Sequence, residues 1–371
     1  MEHIMIKIKN YKGFFRILSI AKNEMDRREL VANCLDFLFI TENDATIYPD
    51  QIKLTNEMSE VIELNKYNSF DVIEVWENGL VSRKYNDKSD DNYFFITGSC
   101  NSNCIMCPSP DFSRKNSKAV PLQELIELAR HIPKDTPHLT ITGGEPFMIG
   151  DRIFTFIEYL KTFFLNTEFL FLTNGRIFSI PRYVKLFSEC APAYSVVAIP
   201  IHGSCSKIHD AITRSSGSFN QTKFGITQLL RNNIAVELRL VTNKMNIDDF
   251  EKIAELIIND FSTVAYVSII AMEMTGNARL NYKDVWIPYR ETFQKIETAI
   301  LKLLKAGIEV KLYNFPLCTI SSSYWSISKQ SISYEKIRYS NKCKKCKVKT
   351  ECGGIFSGTK DLEESELEAI I

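Results

Sequence analysis

Residues 93–108 read Tyr-Phe-Phe-Ile-Thr-Gly-Ser-Cys-Asn-Ser-Asn-Cys-Ile-Met-Cys-Pro, an apolar run that ends abruptly in three cysteines. Cys100, Cys104 and Cys107 bring three thiols close together, with three and two residues between them. This spacing lets one loop wrap three thiolates around a single inorganic centre and leaves one coordination position open. An iron–sulfur site fits better than structural zinc, because a structural zinc site closes with four Cys or His ligands. The stretch therefore predicts a reactive metal centre.

A second motif follows the next predicted strand, where the chain reads Gly143-Gly144-Glu145-Pro146. A Cys-x-x-x-Cys-x-x-Cys loop after one strand and Gly-Gly-Glu after the next resemble the signature of radical S-adenosylmethionine (SAM) enzymes. The resemblance implies that the three thiolates hold a 4Fe-4S cluster, and that the amino and carboxylate groups of SAM chelate its fourth iron. The family usually places an aromatic residue at the position of Met106, near the adenine, and methionine can make a similar apolar contact.

Further contacts with SAM are expected at the ends of the predicted strands. The backbone of Gly143 and Gly144 can approach a ligand closely because no side chain intervenes, and the resemblance assigns both glycines and Glu145 to the amino group of SAM. Arg214 lies in a segment that resembles the one whose arginine holds the SAM carboxylate, a task that suits its bidentate fork. The alternative for Arg214 is a surface residue. The remaining predicted contacts are Pro146, Thr173, Asn174 and His202, with Arg239 and Asn243 as further candidates.

Four cysteines near the C-terminus form a second group: Cys318, Cys343, Cys346 and Cys352. Four thiolates can close a metal site completely, as in structural zinc sites. Their spacing resembles the shortened auxiliary-cluster domains of peptide-modifying radical SAM enzymes, which favours an auxiliary iron–sulfur cluster over zinc. Five lysines interleave with these cysteines and either offset the cluster charge, contact an acidic partner or form a solvated basic loop. They are Lys342, Lys344, Lys345, Lys347 and Lys349.

The composition is that of an ordinary globular protein, with 371 residues, 45% hydrophobic and 24% charged. Equal numbers of basic and acidic residues, 45 each, give no net charge and argue against a nucleic-acid partner. No apolar stretch approaches the ~20 residues that cross a bilayer, and the first residues do not show the pattern of a signal peptide. We therefore expect a cytoplasmic protein without a membrane partner. There the ten cysteines are expected to be metal ligands rather than disulfides. Cys34, Cys190 and Cys205 lie outside both groups, and a hydrogen-atom donor is the alternative to a plain small side chain at Cys205.

From residue 90 onward, predicted strands alternate with amphipathic helices. Six nearly continuous apolar runs are typical of parallel strands buried on both faces. They are Tyr93–Thr97, Leu139–Thr142, Phe169–Thr173, Ser195–Ile201, Val236–Val241 and Tyr266–Ile270. Such units give a parallel sheet with right-handed crossovers, and the resemblance selects a partial (β/α)6 TIM-like barrel in an α/β fold. Both motifs stand at carboxyl ends of strands, where such sheets place active sites. Asp151 is expected to cap the helix after Gly150.

The predicted organisation has four parts. Residues 1–88 form a small β-rich N-terminal domain, which either binds a substrate or partner or caps one end of the core. Residues 89–306 form the radical SAM core that the resemblance implies. Residues 307–359 form a cysteine-rich auxiliary metal domain with a further predicted strand at 308–313, and residues 360–371 are an acidic tail that we expect to be mobile.

Several phrases resemble one subgroup more closely, the His-Xaa-Ser system radical SAM maturases. They are Cys-Asn-Ser-Asn-Cys-Ile-Met-Cys at 100–107, Val-Trp-Ile-Pro at 285–288, Tyr-Asn-Phe-Pro-Leu-Cys at 313–318, Ser-Ile-Ser at 331–333 and Cys-Gly-Gly-Ile-Phe at 352–356. The resemblance implies cleavage of SAM to a 5′-deoxyadenosyl radical and hydrogen abstraction from a peptide or small protein, such as one with His-Xaa-Ser repeats. It also implies an electron donor such as flavodoxin or ferredoxin, and a second radical SAM protein as partner. The alternatives are a radical SAM enzyme that modifies RNA and, without catalysis, a zinc-stabilised interaction module.

Overall fold

The computed structural model describes residues 5–109, 114–332 and 336–371. Two large sheets dominate these residues: a seven-stranded sheet near the N-terminus and an eight-stranded parallel sheet after it. A short two-stranded sheet, formed by β16 (Ile337–Arg338) and β17 (Ile355–Phe356), lies near the C-terminus. Within the described ranges, no helix combines the length and the apolar character needed to cross a bilayer.

The N-terminal sheet confirms the prediction of a β-rich first part. Its strands are β1 (Met5–Lys7), β2 (Arg16–Ala21), β3 (Phe37–Ile40), β4 (Ala45–Tyr48), β5 (Ile52–Thr55), β6 (Val72–Val75) and β7 (Leu80–Tyr85). Their order is β1-β7-β6-β2-β3-β4-β5, and only β2 and β3 are parallel. This part also contains two helices, α1 (Glu24–Ala32) and α2 (Met58–Leu64), which the prediction of a β-rich domain did not include. Helix α1 had a readable start signal, because the Asn23 side chain accepts hydrogen bonds from Met25 N and Asp26 N.

The parallel sheet contains all six strands predicted for the core and extends beyond them. Its strands are β8 (Tyr93–Phe95), β9 (His138–Thr142), β10 (Glu168–Leu172), β11 (Ser195–Pro200), β12 (Ala235–Val241), β13 (Tyr266–Ile270), β14 (Val310–Tyr313) and β15 (Ser328–Lys329). They lie side by side in this order, with β8 and β15 as the two edges. The barrel is therefore partial, as predicted. Because β14 pairs with β13, the sheet continues past the expected boundary at residue 306.

Helices follow most of these strands. They are α3 (Leu122–His131), α4 (Arg152–Phe163), α5 (Pro181–Cys190), α6 (Ser206–Thr213), α7 (Ser218–Arg231), α8 (Phe250–Asp260), α9 (Gly276–Leu280), α10 (Tyr282–Val285), α11 (Tyr289–Lys305) and α12 (Lys360–Glu363). Apolar side chains of α3, α4, α5, α7, α8 and α11 share one continuous core with the sheet. Asp151 stands at the N-cap of α4 but makes no capping hydrogen bond; its carboxylate pairs with Arg182 at 2.5 Å, so the predicted cap is wrong.

The two faces of the parallel sheet differ, against the expectation of strands buried on both sides. On β12, Val236, Leu238 and Leu240 are buried in the helix-covered core. The alternate residues Glu237 and Arg239 line a cavity on the other face, because successive side chains of a strand point to opposite faces. Only one face is therefore an apolar core, and the concave face is available to a ligand.

The N-terminal sheet packs against the outer helix layer rather than over the cavity. Ile17 of β2 and Tyr85 of β7 belong to the same apolar core as Leu125 of α3. Ser19 Oγ lies 2.9 Å from His131 Nδ1, also on α3, and both residues are buried. Among the described residues, none from β1 to β7 lines the cavity. The sheet thus supports one side of the core and leaves the cavity to later elements.

The C-terminal tail is packed against the second cysteine group, so the expectation that it is mobile is wrong for the residues described. Leu367 is only 2% exposed, and Ile370 O accepts a hydrogen bond from Lys347 N at 2.9 Å. Leu367, Glu368 and Ile370 line the same small pocket as the four cysteines. The tail therefore covers that cysteine group.

Candidate functional site

The loop that carries Cys100, Cys104 and Cys107 leaves the carboxyl end of β8 and runs along the carboxyl edge of the sheet. Two of its amides are held by the end of α6: Asn103 N donates to Thr213 O at 3.0 Å and Ile105 N to Ile212 O at 2.8 Å. The three thiols are partly buried. The structure thus places the cysteines at the sheet edge where the sequence predicted a site.

A cavity of about 1040 Å³ opens beside this loop, on the concave face of the sheet. Cys104, Met106 and Cys107 line its mouth, and it reaches His138 and Glu168 at the opposite ends of the strands. Met106 is buried in a small apolar cluster that also contains Ile105, Ile212, Met272 and Met274. A ligand at the mouth would therefore meet two thiols and an apolar methionine wall.

The thiols of this loop are poor acids in the surroundings that the protein provides. Burial raises the pKa of Cys104 to about 12, and the neighbouring thiols Cys107 and Cys100 add to the effect. Burial likewise raises the pKa of Cys100. Such thiols lose their protons readily only when a cation compensates the charge. In the part of the chain that is described, no three His, Cys, Asp or Glu side chains stand in the geometry of one bound metal ion. The chemistry of the donors nevertheless fits a cluster, because one loop carries three thiols.

The two glycines of the second motif pack against the backbone of residues 97–99, a contact that the sequence did not reveal. A Cβ on Gly143 would lie 2.3 Å from Thr97 O, and one on Gly144 would lie 2.4 Å from Gly98 O and 2.5 Å from Ser99 O. Gly144 N donates to Thr97 O at 2.7 Å. The absence of side chains is thus explained by the chain that leads into Cys100, and the contact of both glycines with SAM stays a prediction.

Glu145 joins two strand ends. Its carboxylate accepts hydrogen bonds from Thr173 Oγ1 at 2.8 Å, from Asn174 N at 2.7 Å and from Phe147 N at 3.2 Å. Burial raises its pKa, although these donors oppose the shift. Asn174 Nδ2 in turn donates to Asn101 Oδ1 at 2.6 Å. Glu145, Thr173 and Asn174 are therefore brought together, and the carboxylate that was expected at the SAM amino group already has protein partners. Pro146 is buried in the short turn that follows.

Arg176 is a residue of this site that the sequence analysis did not single out. Its Nη1 donates to Asn101 O at 2.7 Å, to Ser102 Oγ at 3.1 Å and to Ser215 Oγ at 3.0 Å. It thereby ties the cysteine loop to the turn after α6. Its position directly after the predicted strand end at Thr173-Asn174-Gly175 could have identified Arg176 from the sequence.

Arg214 and His202, two predicted SAM contacts, lie in different surroundings. Arg214 is exposed at the end of α6, and its Nη2 donates to Asn281 Oδ1 at 2.9 Å; it is not among the residues that line the cavity. His202 lines the cavity and is 3% exposed, with no hydrogen-bond partner for Nδ1 in the described residues. Burial lowers the pKa of His202 to about 3. His202 is thus a buried, neutral imidazole in the wall of the cavity.

The four C-terminal cysteines converge on one small pocket, as their grouping predicted. Leu317 N and Gly354 N each donate to Cys352 Sγ at 3.4 Å. Such donors stabilise a thiolate, whereas burial raises the pKa of Cys318 and Cys352. The donor set therefore fits a metal centre with four thiolate ligands.

Other predicted residues fall outside both groups. Cys34 and Cys205 are exposed and Cys190 is buried. Asn243 is buried and donates to Val241 O at 3.1 Å, a structural role. Of the Ser-Ile-Ser phrase, Ser331 lines the cavity and donates to Asn314 Oδ1, whereas Ser333 lies outside the described residues.

The comparisons with known proteins agree with this geometry. Residues 94–257 match the family model of the Radical SAM superfamily. The AdoMet-dependent heme synthase of Methanosarcina barkeri is 27% identical over 177 residues, which are 46% of this chain and 47% of that protein, so the chain spans about half of this curated relative. Streptococcus suis SuiB bound to S-adenosylmethionine shares the fold, with 11% identity, a TM-score of 0.50, and coverage of 67% of this chain and 53% of SuiB. So does anSMEcpe with bound AdoMet and a peptide, with 15% identity, a TM-score of 0.50, and coverage of 74% and 91%. The match therefore assigns residues 94–257 to the Radical SAM superfamily, and the loop of Cys100, Cys104 and Cys107 lies within them.

Proposed function

We propose that this protein is a radical SAM maturase that modifies a peptide or small protein by hydrogen abstraction. The observation that carries the proposal is the position of the cysteine loop, whose Cys104 and Cys107 line the mouth of a large cavity on the concave face of the sheet. In this proposal Cys100, Cys104 and Cys107 hold a 4Fe-4S cluster. When bound, the cluster supplies the electron that cleaves SAM to methionine and a 5′-deoxyadenosyl radical.

The protein's own residues bind, orient and shield the reactants. Met106 offers an apolar surface to the adenine. The backbone of Gly143 to Glu145 and the exposed guanidinium of Arg214 are the proposed partners of the methionine part of SAM. His202 stays neutral and presents a hydrogen-bonding ring to the cavity. The apolar cluster behind the cysteine loop keeps water from the mouth, which protects a radical from competing hydrogen donors.

The proposed substrate is a peptide, and a chain with His-Xaa-Ser repeats is the candidate that the sequence resemblance favours. The cavity spans the full length of the strands, from Cys104 to Glu168, which is room for several residues of an extended chain. The sheet around it does not close into a full barrel, because β8 and β15 are separate edges. An open side admits a polymer that a closed barrel would exclude.

The second cysteine group is proposed to hold an auxiliary iron–sulfur cluster. Its outer wall carries exposed lysines, of which Lys344, Lys345 and Lys347 extend between the ligands. We assign this surface to an acidic electron carrier such as a flavodoxin or ferredoxin, because complementary charge speeds the association of two proteins. We also propose a second radical SAM protein as a partner, and only the sequence resemblance supports it.

The test is the formation of 5′-deoxyadenosine by anaerobically reconstituted protein with SAM and dithionite. Replacing Cys100, Cys104 and Cys107 by Ala should abolish the product. Cys34→Ala, which alters an exposed thiol in the turn between α1 and β3, is the matched control and should leave it unchanged. Product formation by the triple variant would refute the proposal.

Metal analysis decides the nature of the two sites. About eight irons per chain, with matching sulfide, is expected for two 4Fe-4S clusters. About four irons and one zinc would assign zinc to the second site. Zinc without iron would refute the radical mechanism and support a zinc-stabilised interaction module instead. Mass spectrometry of a co-expressed peptide with His-Xaa-Ser repeats then tests the substrate, and a peptide of unchanged mass would reject it.

A further inference from the structure

A short helix after β13 contacts residues 103–108 of the cysteine loop, whereas the Gly-Gly-Glu motif contacts residues 97–99. Helix α9 begins at Gly276, and its second residue, Asn277, is 3% exposed. Asn277 N donates to Cys107 O at 2.8 Å, and Asn277 Nδ2 donates to Cys104 O at 3.0 Å and to Asn103 Oδ1 at 3.2 Å. One asparagine thus fixes the carbonyls of two of the three cysteines.

Gly276 lets the helix approach this closely. A Cβ at this position would lie 2.1 Å from Pro108 O and 2.7 Å from Cys107 O. Its φ of +53° also lies in the left-handed region that favours glycine. No larger residue fits without moving the backbone of the cysteine loop. The pair Gly276-Asn277 is therefore shaped to the loop.

Asn281 extends the same contact by one helical turn. Its Nδ2 donates to Ile105 O at 3.2 Å and to Asn277 O at 2.7 Å, and its Oδ1 accepts from Arg214. The carbonyls of Cys104, Ile105 and Cys107 thus all find partners on one short segment.

The segment is itself anchored to the C-terminal part of the chain. Glu273 lies 3.8 Å from Lys336 Nζ. A Cβ on Gly358 would lie 2.6 Å from Met274 O, so this glycine also packs tightly against the backbone of the segment. Tyr289 Oη donates to Met272 O at 2.8 Å. The segment that supports the cysteine loop is therefore itself held by residues nearer the C-terminus.

We propose that Asn277 is a positioning residue that holds Cys104 and Cys107 in the arrangement a cluster needs to accept SAM. The inference rests on the proposed function of the loop. Three ligands on a single loop leave the placement of a cluster to the conformation of that loop, and outer hydrogen-bonding partners commonly fix such ligands. The hydrogen bonds that Asn277 donates to the two cysteines go to their backbone carbonyls, so it acts through the peptide groups.

The test compares Asn277→Asp with a matched variant, Asn92→Asp. Each replacement sets a carboxylate oxygen against two acceptors: Cys104 O and Asn103 Oδ1 in the first, and Asn86 O and Ser89 O in the second. Asn277 and Asn92 are equally buried, at 3% and 1% exposed, but Asn92 lies on the turn that leads into β8. The two variants should destabilise the apo protein alike, as measured by thermal unfolding.

The readouts are iron per reconstituted chain and the change that SAM causes in the electron paramagnetic resonance (EPR) spectrum of the reduced protein. For Asn277→Asp we expect iron to fall from about eight to about four per chain. We expect the SAM-dependent change to weaken at least about tenfold, the lower end of the 10–100-fold losses that follow removal of an outer partner. Asn92→Asp should keep both. Asn281→Ala loses only one hydrogen bond to the loop, so its iron content and SAM response should lie between those of Asn277→Asp and Asn92→Asp.

Three results separate the possibilities. Wild-type iron and SAM response in Asn277→Asp would overturn the inference while leaving the proposed function intact. Equal losses in Asn92→Asp would also overturn it, because the effect would then be general destabilisation. A wild-type chain that takes up no iron would overturn the proposed function, and this inference with it.

Discussion

Replacing Gly144 by Ala tests whether the second motif supports the cysteine loop through its backbone. The added Cβ would lie 2.4 Å from Gly98 O and 2.5 Å from Ser99 O. Favourable non-bonded contacts begin at about 3.5 Å, so the overlap is about 1 Å with two oxygens at once. Backbone oxygens cannot move aside by changing rotamer. We therefore expect a loss at the upper end of overpacking, about 3 kcal/mol, in the free energy of unfolding of the apo protein.

The same change should reach the metal site, because Gly98 and Ser99 directly precede Cys100. The control is Gly307→Ala, at the turn between α11 and β14, where an added Cβ meets no atom within 4 Å. Its cost is only that of a left-handed backbone, with φ at +77°, about 1 kcal/mol. Urea unfolding of both apo variants measures the stability difference, and iron content after reconstitution measures the effect on the site.

Gly144→Ala should lose iron from the first site, whereas Gly307→Ala should retain all of it. The reasoning is refuted if Gly144→Ala is no less stable than Gly307→Ala, or if it binds iron like the wild type. Either result would mean that the loop tolerates a side chain here. The glycine would then be explained by the approach of SAM alone.

Three further outcomes are expected. Burial lowers the pKa of His202 to about 3, so the unfolded chain takes up a proton at a higher pH than the folded protein does. The contribution of neutral His202 to folding stability is therefore complete above about pH 6.5 and is lost as the pH falls toward 3. Between pH 7 and pH 5, the free energy of unfolding of His202→Gln should fall less than that of the wild type in urea titrations. Replacing Lys344, Lys345 and Lys347 by Ser should slow reduction by an acidic electron carrier roughly tenfold at low salt but leave reduction by dithionite unchanged, and an equal rate with the carrier would contradict the docking surface. Asp151→Ala should change the unfolding free energy by no more than about 0.5 kcal/mol because its ion pair is exposed, and a loss above 1 kcal/mol would restore a capping role.

Local patterns in the sequence were sufficient for the strands and for the grouping of the cysteines. The apolar runs that became β8 to β13 were readable because buried parallel strands are nearly continuous in hydrophobicity. The cysteine loop was readable because its three ligands lie within one short segment. Two helices of the N-terminal part were missed, although Asn23 marked the start of α1. In that region the strand-like sequence runs led to a prediction of β structure without helices.

Partners that are distant in sequence were decided only by the tertiary structure. Asn277 and Cys104 are 173 residues apart, and Arg176 and Asn101 are 75 apart, yet both pairs are hydrogen-bonded. The sequence also placed Glu145 at a ligand, whereas packing gave its carboxylate three protein donors. By itself, then, the sequence determined which residues can hold a metal centre, because ligand chemistry depends on residue type and local spacing. Which residues hold those ligands in place was settled by the folding of the sheet, since parallel strands bring their carboxyl ends, and the loops that follow them, to one common edge.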